Sequence, residues 1–157
     1  MAGSDEEEGR PWVEADLALP AYPADADLVE FNVSAATTNK FFIDSKSLSV
    51  GSDGVVRFSL VILTSGGATN VTYEGIRCSA REFRVFAIGR SDRTWSPSRL
   101  STWKPIENKP VNRHHAALSH DFFCPRGVPI YRADDGRKAL RRGIHPDAED
   151  LPIGGPG

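Results

Sequence analysis

Apolar and polar residues alternate along the chain from about residue 28 to residue 89, with the period of two that half-buried β-strands show. Glycine-containing turns at residues 51–54 and 65–67 separate successive apolar runs. The pattern therefore predicts an antiparallel β-meander of four to five strands. Its clearest inward positions are Val29, Phe31, Val33, Phe41, Ile43, Val56, Phe58, Leu60, Ile62, Val71 and Tyr73.

The phase of this alternation changes within the fourth run. Val71 and Tyr73 lie on one parity, whereas Ile76 and Cys78 lie on the other. A β-bulge adds one residue to a strand and would return all four side chains to the same face. We therefore predict a β-bulge or a strongly irregular strand position at Gly75.

The C-terminal third of the chain predicts short helices instead of strands. Asn112 is a suitable N-cap, and the apolar residues after it can line a short helix that ends before Pro125. A second short helix is predicted from about Asp134 to Gly143. The fold class is therefore α+β, with an antiparallel sheet over residues 28–89 and a short C-terminal helical segment packed on or beside it.

The length of 157 residues and a composition of 39% hydrophobic and 25% charged residues indicate one globular domain. We predict that this domain spans residues 11–147. Residues 1–10 are predicted to be a disordered acidic tail, and residues 148–157 a disordered Pro/Gly-rich tail. Residues 11–27 contain three prolines and predict an extended segment over the body of the domain. Residues 94–111 are predicted to be a loop.

Charge and motifs exclude several functional classes. The net charge of −2 excludes a strongly basic nucleic-acid binder, so no nucleic-acid partner is expected. No apolar run approaches the roughly 20 residues that span a bilayer, so no transmembrane span is expected in this chain. The chain contains no GxxxxGK[ST] loop, GxSxG elbow or HExxH motif. We therefore expect no cofactor and no catalytic residue, and a non-enzymatic role is favoured.

The four histidines are weak candidates for a site. On a helix, His114 and His115 point about 100° apart, and His115 and His120 are five residues apart instead of the four that share a face. No metal site is therefore predicted. The alternative is a hydrolase-like enzyme that uses the segment from His114 to Asp121. In that alternative Cys124, about one helical turn from His120, is a candidate nucleophile.

Two further groups of residues are candidates for binding. A basic cluster near the C-terminus predicts a site for phosphate or another anion, unless it is only a solvated helix face. Three tryptophans predict an aromatic surface for a ligand, unless they cap a small core. The basic residues are Arg126, Arg132, Arg137, Lys138 and Arg141, and the aromatic ones are Trp12, Trp95 and Trp103.

The two cysteines, Cys78 and Cys124, fit no CxxC redox or zinc signature. Such a pair is compatible with one disulfide in an oxidising compartment or with two buried thiols in the cytosol. Residues 1–8 are acidic and lack an apolar core, so no signal peptide is visible. The opening Met-Ala-Gly-Ser is typical of a segment added for expression. The lack of a visible signal peptide is therefore weak evidence for a cytoplasmic location.

Six segments of the chain together match the pattern of one known family. They are residues 32–44, 47–57, 73–78, 103–105, 122–125 and 145–147. Over roughly residues 12–147 the chain resembles the cryptic neisserial protein-like family of β-proteobacteria. The resemblance implies a protein of the bacterial envelope, usually made with an export or lipoprotein signal. It brings no catalytic residues.

Export to the envelope changes the expectation for the cysteines. Cys78 follows a predicted core strand and Cys124 a predicted helix, so with the exported location we predict that they form a disulfide. We expect an extracytoplasmic domain, periplasmic or anchored to the envelope, that binds a partner protein or an envelope component. The hydrolase-like enzyme and the anion-binding module remain the alternatives.

Overall fold

The computed structural model describes residues 11–34 and 36–149. The predicted tails are residues 1–10 and 148–157, and all of them except residues 148 and 149 lie outside the described residues. The strands are β1 (Leu28–Phe31), β2 (Lys40–Asp44), β3 (Ser49–Val50), β4 (Val55–Leu63), β5 (Thr69–Arg77), β6 (Glu82–Gly89), β7 (Trp95–Pro97) and β8 (Lys104–Pro105). The helices are α1 (Arg113–Ala117), a π-helix (Leu118–Phe123), α2 (Ala133–Arg142) and α3 (Pro146–Glu149), with short 3-10 turns between some elements.

The strands form one antiparallel sheet in the order β1-β2-β4-β5-β6-β7, with β3 beside β4 and β8 beside β6. The five longer strands are the predicted meander, and with the C-terminal helices they confirm the α+β fold. β7 and β8 lie in residues 94–111, which were predicted to be a loop. Strands of three and two residues are too short to leave a periodic signal in the sequence.

The helices pack against one face of the sheet, which we call the helical face. Phe58 of β4 and Phe123 of the π-helix are both fully buried there, with ring centroids 5.3 Å apart. The same core contains Phe31, Phe41, Ile43, Leu60, Ile76, Phe83, Leu118, Phe122 and Leu140. α2 begins and ends where the sequence predicts, because Gly143 takes a left-handed conformation with φ 101° directly after Arg142.

The opposite face carries the N-terminal strap, an extended segment of residues 11–24. Its side chains and backbone contact the turn before β4, β4 itself, β6 and β7. Residues 25–27 form a short 3-10 turn that leads from the strap into β1. The extended segment predicted for residues 11–27 is therefore present over residues 11–24, where it covers part of the second face of the sheet, and it ends at the 3-10 turn.

The predicted bulge at Gly75 is wrong. Gly75 pairs regularly with both neighbouring strands. The irregularity lies one step earlier, where the register between β5 and β6 shifts between Tyr73 and Glu74 and leaves Phe86 as the extra residue on β6. The bulge is therefore in the neighbouring strand.

Both faces of β5 are buried, and this explains the change of phase that the sequence shows. Ile76 packs in the core of the helical face, whereas Tyr73 packs with Phe86 on the strap face. Residues of both parities are apolar without any slip in the strand. Gly75 is needed for space, because a Cβ there would lie 2.9 Å from both the Phe86 ring and the Val55 side chain.

α3 continues the described chain to Glu149, two residues beyond the predicted end of the domain, and Ala148 is fully buried. Among the helices of residues 11–34 and 36–149, none is long and apolar enough to cross a membrane.

Candidate functional site

A cleft of about 410 Å³ opens beside the start of α1. Three separate parts of the chain line it: the segment after β1, neighbouring positions of β2 and β4, and the residues at the start of α1. Its volume lies within the range of small-molecule sites. The lining residues are Val33, Ser34, Ala36, Thr37, Asn39, Phe41, Ile62, Pro110, Val111, Arg113 and His114.

His114 is the buried polar side chain of this cleft, with 7% of its surface exposed. Its ring stacks on Phe41 with centroids 5.2 Å apart, and it lies 4.2 Å from the ring of His115. Burial, and secondly the neighbouring His115, lower the pKa of His114 to about 4. The imidazole is therefore neutral near pH 7 and carries one hydrogen-bond donor and one acceptor. Within the described part of the chain it has no hydrogen-bond partner.

His115 and Glu74 form a buried pair behind His114. His115 Nε2 lies 2.6 Å from Glu74 Oε1, and the Thr72 hydroxyl donates to Glu74 Oε2 at 2.7 Å. Burial alone would raise the pKa of Glu74, but His115 and the Thr72 hydroxyl outweigh it and hold that pKa below its usual value. The ring of His115 also stacks on Phe83, with centroids 3.7 Å apart. The pair therefore fixes α1 on the sheet and holds the histidine that lines the cleft.

Glu74 was missed as a site residue at the level of the sequence. The available signal was its parity, because Glu74 shares its side of β5 with the buried Ile76, and the buried Cys78 directly after β5 continues that parity. A charged residue on the same side of a strand as buried apolar residues needs a buried partner. The sequence contains no information on which residue that partner is, since His115 lies 41 positions away.

The remaining residues of the segment from His114 to Asp121 lie apart from the cleft. His120 Nδ1 is 2.7 Å from Asp121 Oδ1, and both side chains are partly exposed, at 49% and 34%. The predicted single helix is in fact α1 followed by a π-helix, in which the N–H of Cys124 bonds to the carbonyl of Ser119 at 2.8 Å. The hydrolase hypothesis for this segment stays a prediction.

The Cys78–Cys124 disulfide is confirmed, with the two Cα atoms 5.5 Å apart. Cys78 directly follows β5, and Cys124 directly follows the π-helix. The bond therefore joins the sheet to the helical layer. Because both sulfurs are in the disulfide, Cys124 is not available as a thiolate partner of His120.

Two members of the basic cluster are engaged within α2. Arg137 Nε donates to the carbonyl of Ser45 at 2.8 Å, which ties α2 to the turn between β2 and β3. Asp134 lies 3.9 Å from Arg137 and 3.4 Å from Lys138. Arg137 is therefore a structural contact as well as a candidate ligand for anions.

The other basic residues of the cluster are exposed on or near α2. Arg126 Nε donates to the carbonyl of Asp147 at 3.3 Å, and the backbone N–H of Arg132 donates to the Asp135 carboxylate at 3.1 Å. Arg141 lies in the last turn of α2, where a cation is favoured by the helix dipole. Anion binding by this cluster stays a prediction.

The three tryptophans lie on the strap face and are partly buried. Trp12 and Trp103 meet edge to face at 5.9 Å, and the Arg77 guanidinium lies 3.9 Å from the centroid of Trp12. Trp95 donates from its indole nitrogen to the carbonyl of Pro20 at 2.9 Å. Trp95 and Trp103 also pack on the small core of this face, as the alternative interpretation predicts.

Glu14 provides the charged contact of the strap. Its carboxylate lies 2.7 Å from Arg84 and 3.7 Å from Arg57, and it accepts a hydrogen bond from the Trp103 indole at 3.0 Å. Arg57 also pairs with Asp53 at 2.8 Å. The strap is thus held by charged and indole contacts, and also by the hydrogen bond from the Ala15 N–H to Asp53 and by the packing of Tyr22 on Trp95.

Comparisons with known proteins agree on one family. The model of the CNP1-like family matches residues 7–141. The chain is also similar to Cryptic neisserial protein 1 of Neisseria gonorrhoeae, with 31% identity over 103 residues, which cover 57% of this chain and 50% of that protein. The match thus spans about half the length of this curated relative. No solved structure matches.

Proposed function

The chain belongs to the CNP1-like family, and from this premise we propose that it is a non-enzymatic domain of the bacterial cell envelope. It binds a partner protein or an envelope component, and the binding surface is the cleft beside His114. The observation that carries the proposal is this cleft, because it combines apolar walls with a buried imidazole that has no hydrogen-bond partner among the described residues. The ring nitrogens of His114 are not among the buried unsatisfied atoms of the described residues, so a ligand in the cleft can take the place of water as their hydrogen-bond partner.

The disulfide supports the proposed compartment. Disulfides persist in oxidising compartments such as the bacterial periplasm and are rare in the cytosol of mesophiles. The Cys78–Cys124 bond lies between two layers of the core and has buried cysteines at both ends. A domain that is held together in this way is suited to folding outside the cytoplasm.

The compartment is tested with the full-length gene product in its native bacterium. Cells are fractionated, and free thiols are alkylated before and after reduction. We expect the protein in the periplasmic or envelope fraction, with Cys78 and Cys124 alkylated only after reduction. The Cys78→Ser, Cys124→Ser variant is the control for labelling. A cytoplasmic protein whose two thiols react without reductant would overturn this part of the proposal.

Binding through the cleft is tested by site-specific photocrosslinking in intact cells. A photoreactive residue at Val111, which is 82% exposed on the cleft, is compared with one at the exposed Ser79 beyond β5. We expect a crosslinked species from Val111, less of it with His114→Leu, and none from Ser79. Equal crosslinking from both positions would assign binding to another surface. So would a crosslinking yield from Val111 that is the same with and without His114→Leu.

A further inference from the structure

Polar side chains line the cleft on two segments: Ser34, Thr37 and Asn39 lie between β1 and β2, and Arg113 and His114 lie at the start of α1. His114 lies at the start of α1 and Arg113 directly precedes it, and both line the cleft. Arg113 uses its Nε to donate to Asn108 Oδ1 at 3.1 Å, and no other partner of its guanidinium lies within the described residues. The terminal nitrogens of Arg113 and the imidazole of His114 are therefore both available for a ligand.

The cleft also has apolar walls. Phe41 and Ile62 are paired neighbours on β2 and β4, and Val33, Pro110 and Val111 line the cleft as well. Val111 exposes 82% of its surface, so a ligand that covered it would gain hydrophobic free energy. A matching ligand needs an apolar part as well as a polar group.

From this arrangement we infer that the cleft binds a small amphipathic monocarboxylate, with its apolar part against Phe41, Ile62 and Val111 and its carboxylate against Arg113 and His114. The inference rests on the proposed function and adds the chemical class of the ligand. An arginine can donate two parallel hydrogen bonds to a carboxylate, and a neutral imidazole can donate a third.

Charge distinguishes this class from the alternatives. Arg113 is the one charged residue among the described residues that line the cleft. An organic cation would be repelled by the positive charge of Arg113. A phosphate dianion would keep one uncompensated negative charge on entering a partly apolar site. A single negative charge on an apolar body is balanced by this lining.

Three probes of the same shape test the ligand class. Phenylpropanoate, phenylpropanamide and phenylpropylamine are titrated into isotope-labelled protein while the backbone amide signals are followed by NMR. We expect phenylpropanoate to shift signals of residues that line the cleft and to bind about tenfold more tightly than the amide. The amine is expected to cause no shift there. Equal binding of the acid and the amide, or no binding of the acid, would overturn the inference.

Variants test whether the named residues make the contacts. Arg113→Gln is expected to weaken phenylpropanoate binding about tenfold, whereas Arg141→Gln, a matched change at an exposed arginine on α2, leaves it unchanged. Val111→Asp places a negative charge, like that of the ligand carboxylate, at an exposed position of the cleft. It is expected to abolish binding of phenylpropanoate while the fold is retained. Binding of phenylpropanoate that is unaffected by both cleft variants would show that the site is elsewhere and would overturn the inference.

The outcome also separates this inference from the proposed function. If Val111 crosslinks a partner in a manner that depends on His114 but phenylpropanoate does not bind, the ligand class is wrong and the binding role stands. If neither result is obtained, both proposals are wrong.

Discussion

The two faces of the sheet are covered in different ways. The helical face is closed by a continuous aromatic and aliphatic core and by the Cys78–Cys124 disulfide. The strap face has a small core of Tyr73, Phe86 and Ala87, over which residues 11–24 are held by individual charged and indole contacts. One sheet therefore has a large continuous core on one side and a small core with a partly polar attachment on the other.

This difference indicates where the stability of the domain resides. Burial of apolar surface contributes most of the free energy of folding, whereas partly exposed ion pairs contribute about 0–1 kcal/mol each. The helical face is expected to open only with global unfolding. The strap is expected to open locally, because its contacts are made by partly exposed side chains and lie outside the large core.

The largest effect is expected from removing an aromatic ring on the helical face. Phe123→Ala should lower the free energy of unfolding by about 3–5 kcal/mol, because Phe123 is fully buried against Phe58. Trp12→Ala on the strap should cost about 1 kcal/mol. Urea unfolding followed by circular dichroism measures both. Similar losses for the two variants would contradict the proposed difference between the faces.

The disulfide is expected to have the next largest effect. Cys78→Ser with Cys124→Ser should lower the free energy of unfolding by about 4 kcal/mol, mainly because the unfolded chain loses a cross-link between residues 46 positions apart. Urea unfolding is compared with and without reductant. Reductant should destabilise the wild type by a similar amount and leave the variant unchanged. A wild type that is insensitive to full reduction would show that the helical layer holds without the bond.

The buried histidine of the cleft should make stability depend on pH. The pKa of His114 falls from 6.5 to about 4 on folding, so between these values the unfolded state binds a proton that the folded state does not. Stability should therefore decrease by up to about 3 kcal/mol as the pH falls from 6.5 to 4. The lowered pKa of Glu74 adds a loss in the same direction at still lower pH.

This pH dependence is measured as the urea midpoint at a series of pH values. His114→Leu should flatten the decrease between pH 6.5 and 4, whereas His120→Leu, at a partly exposed position, should preserve it. An unchanged slope in His114→Leu would show that other groups cause the loss.

The smallest effect on global stability is expected on the strap face. Glu14→Gln should cost less than about 1 kcal/mol, because it weakens the pairs with Arg84 and Arg57 without opening the core. It should nevertheless raise the rate of limited proteolysis near Leu17 and Leu19, which are exposed on the strap. Asp16→Asn, at an exposed neighbouring position, is the matched control. If both variants are cleaved at the wild-type rate, the Glu14 contacts do not hold the strap.

Local patterns were enough to predict much of the fold. Alternation with a period of two marks strands wherever one face is buried, and the turns at residues 51–54 and 65–67 separate the strands that the structure contains. The helix that ends at Gly143 was also predictable, because its C-cap is a local feature. The Cys78–Cys124 pairing followed once the family resemblance implied export.

By itself, then, the sequence determined the order and type of the main elements, because these depend on residues a few positions apart. The tertiary structure alone decided what covers each face of the sheet. It placed Glu74 against His115, 41 positions away, and built the cleft from three separate segments. A periodic pattern records that a face is buried but not by which part of the chain, so the Gly75 prediction assumed one buried face where β5 has two. Contacts between distant residues form only when the whole chain packs, and local periodicity contains no record of them.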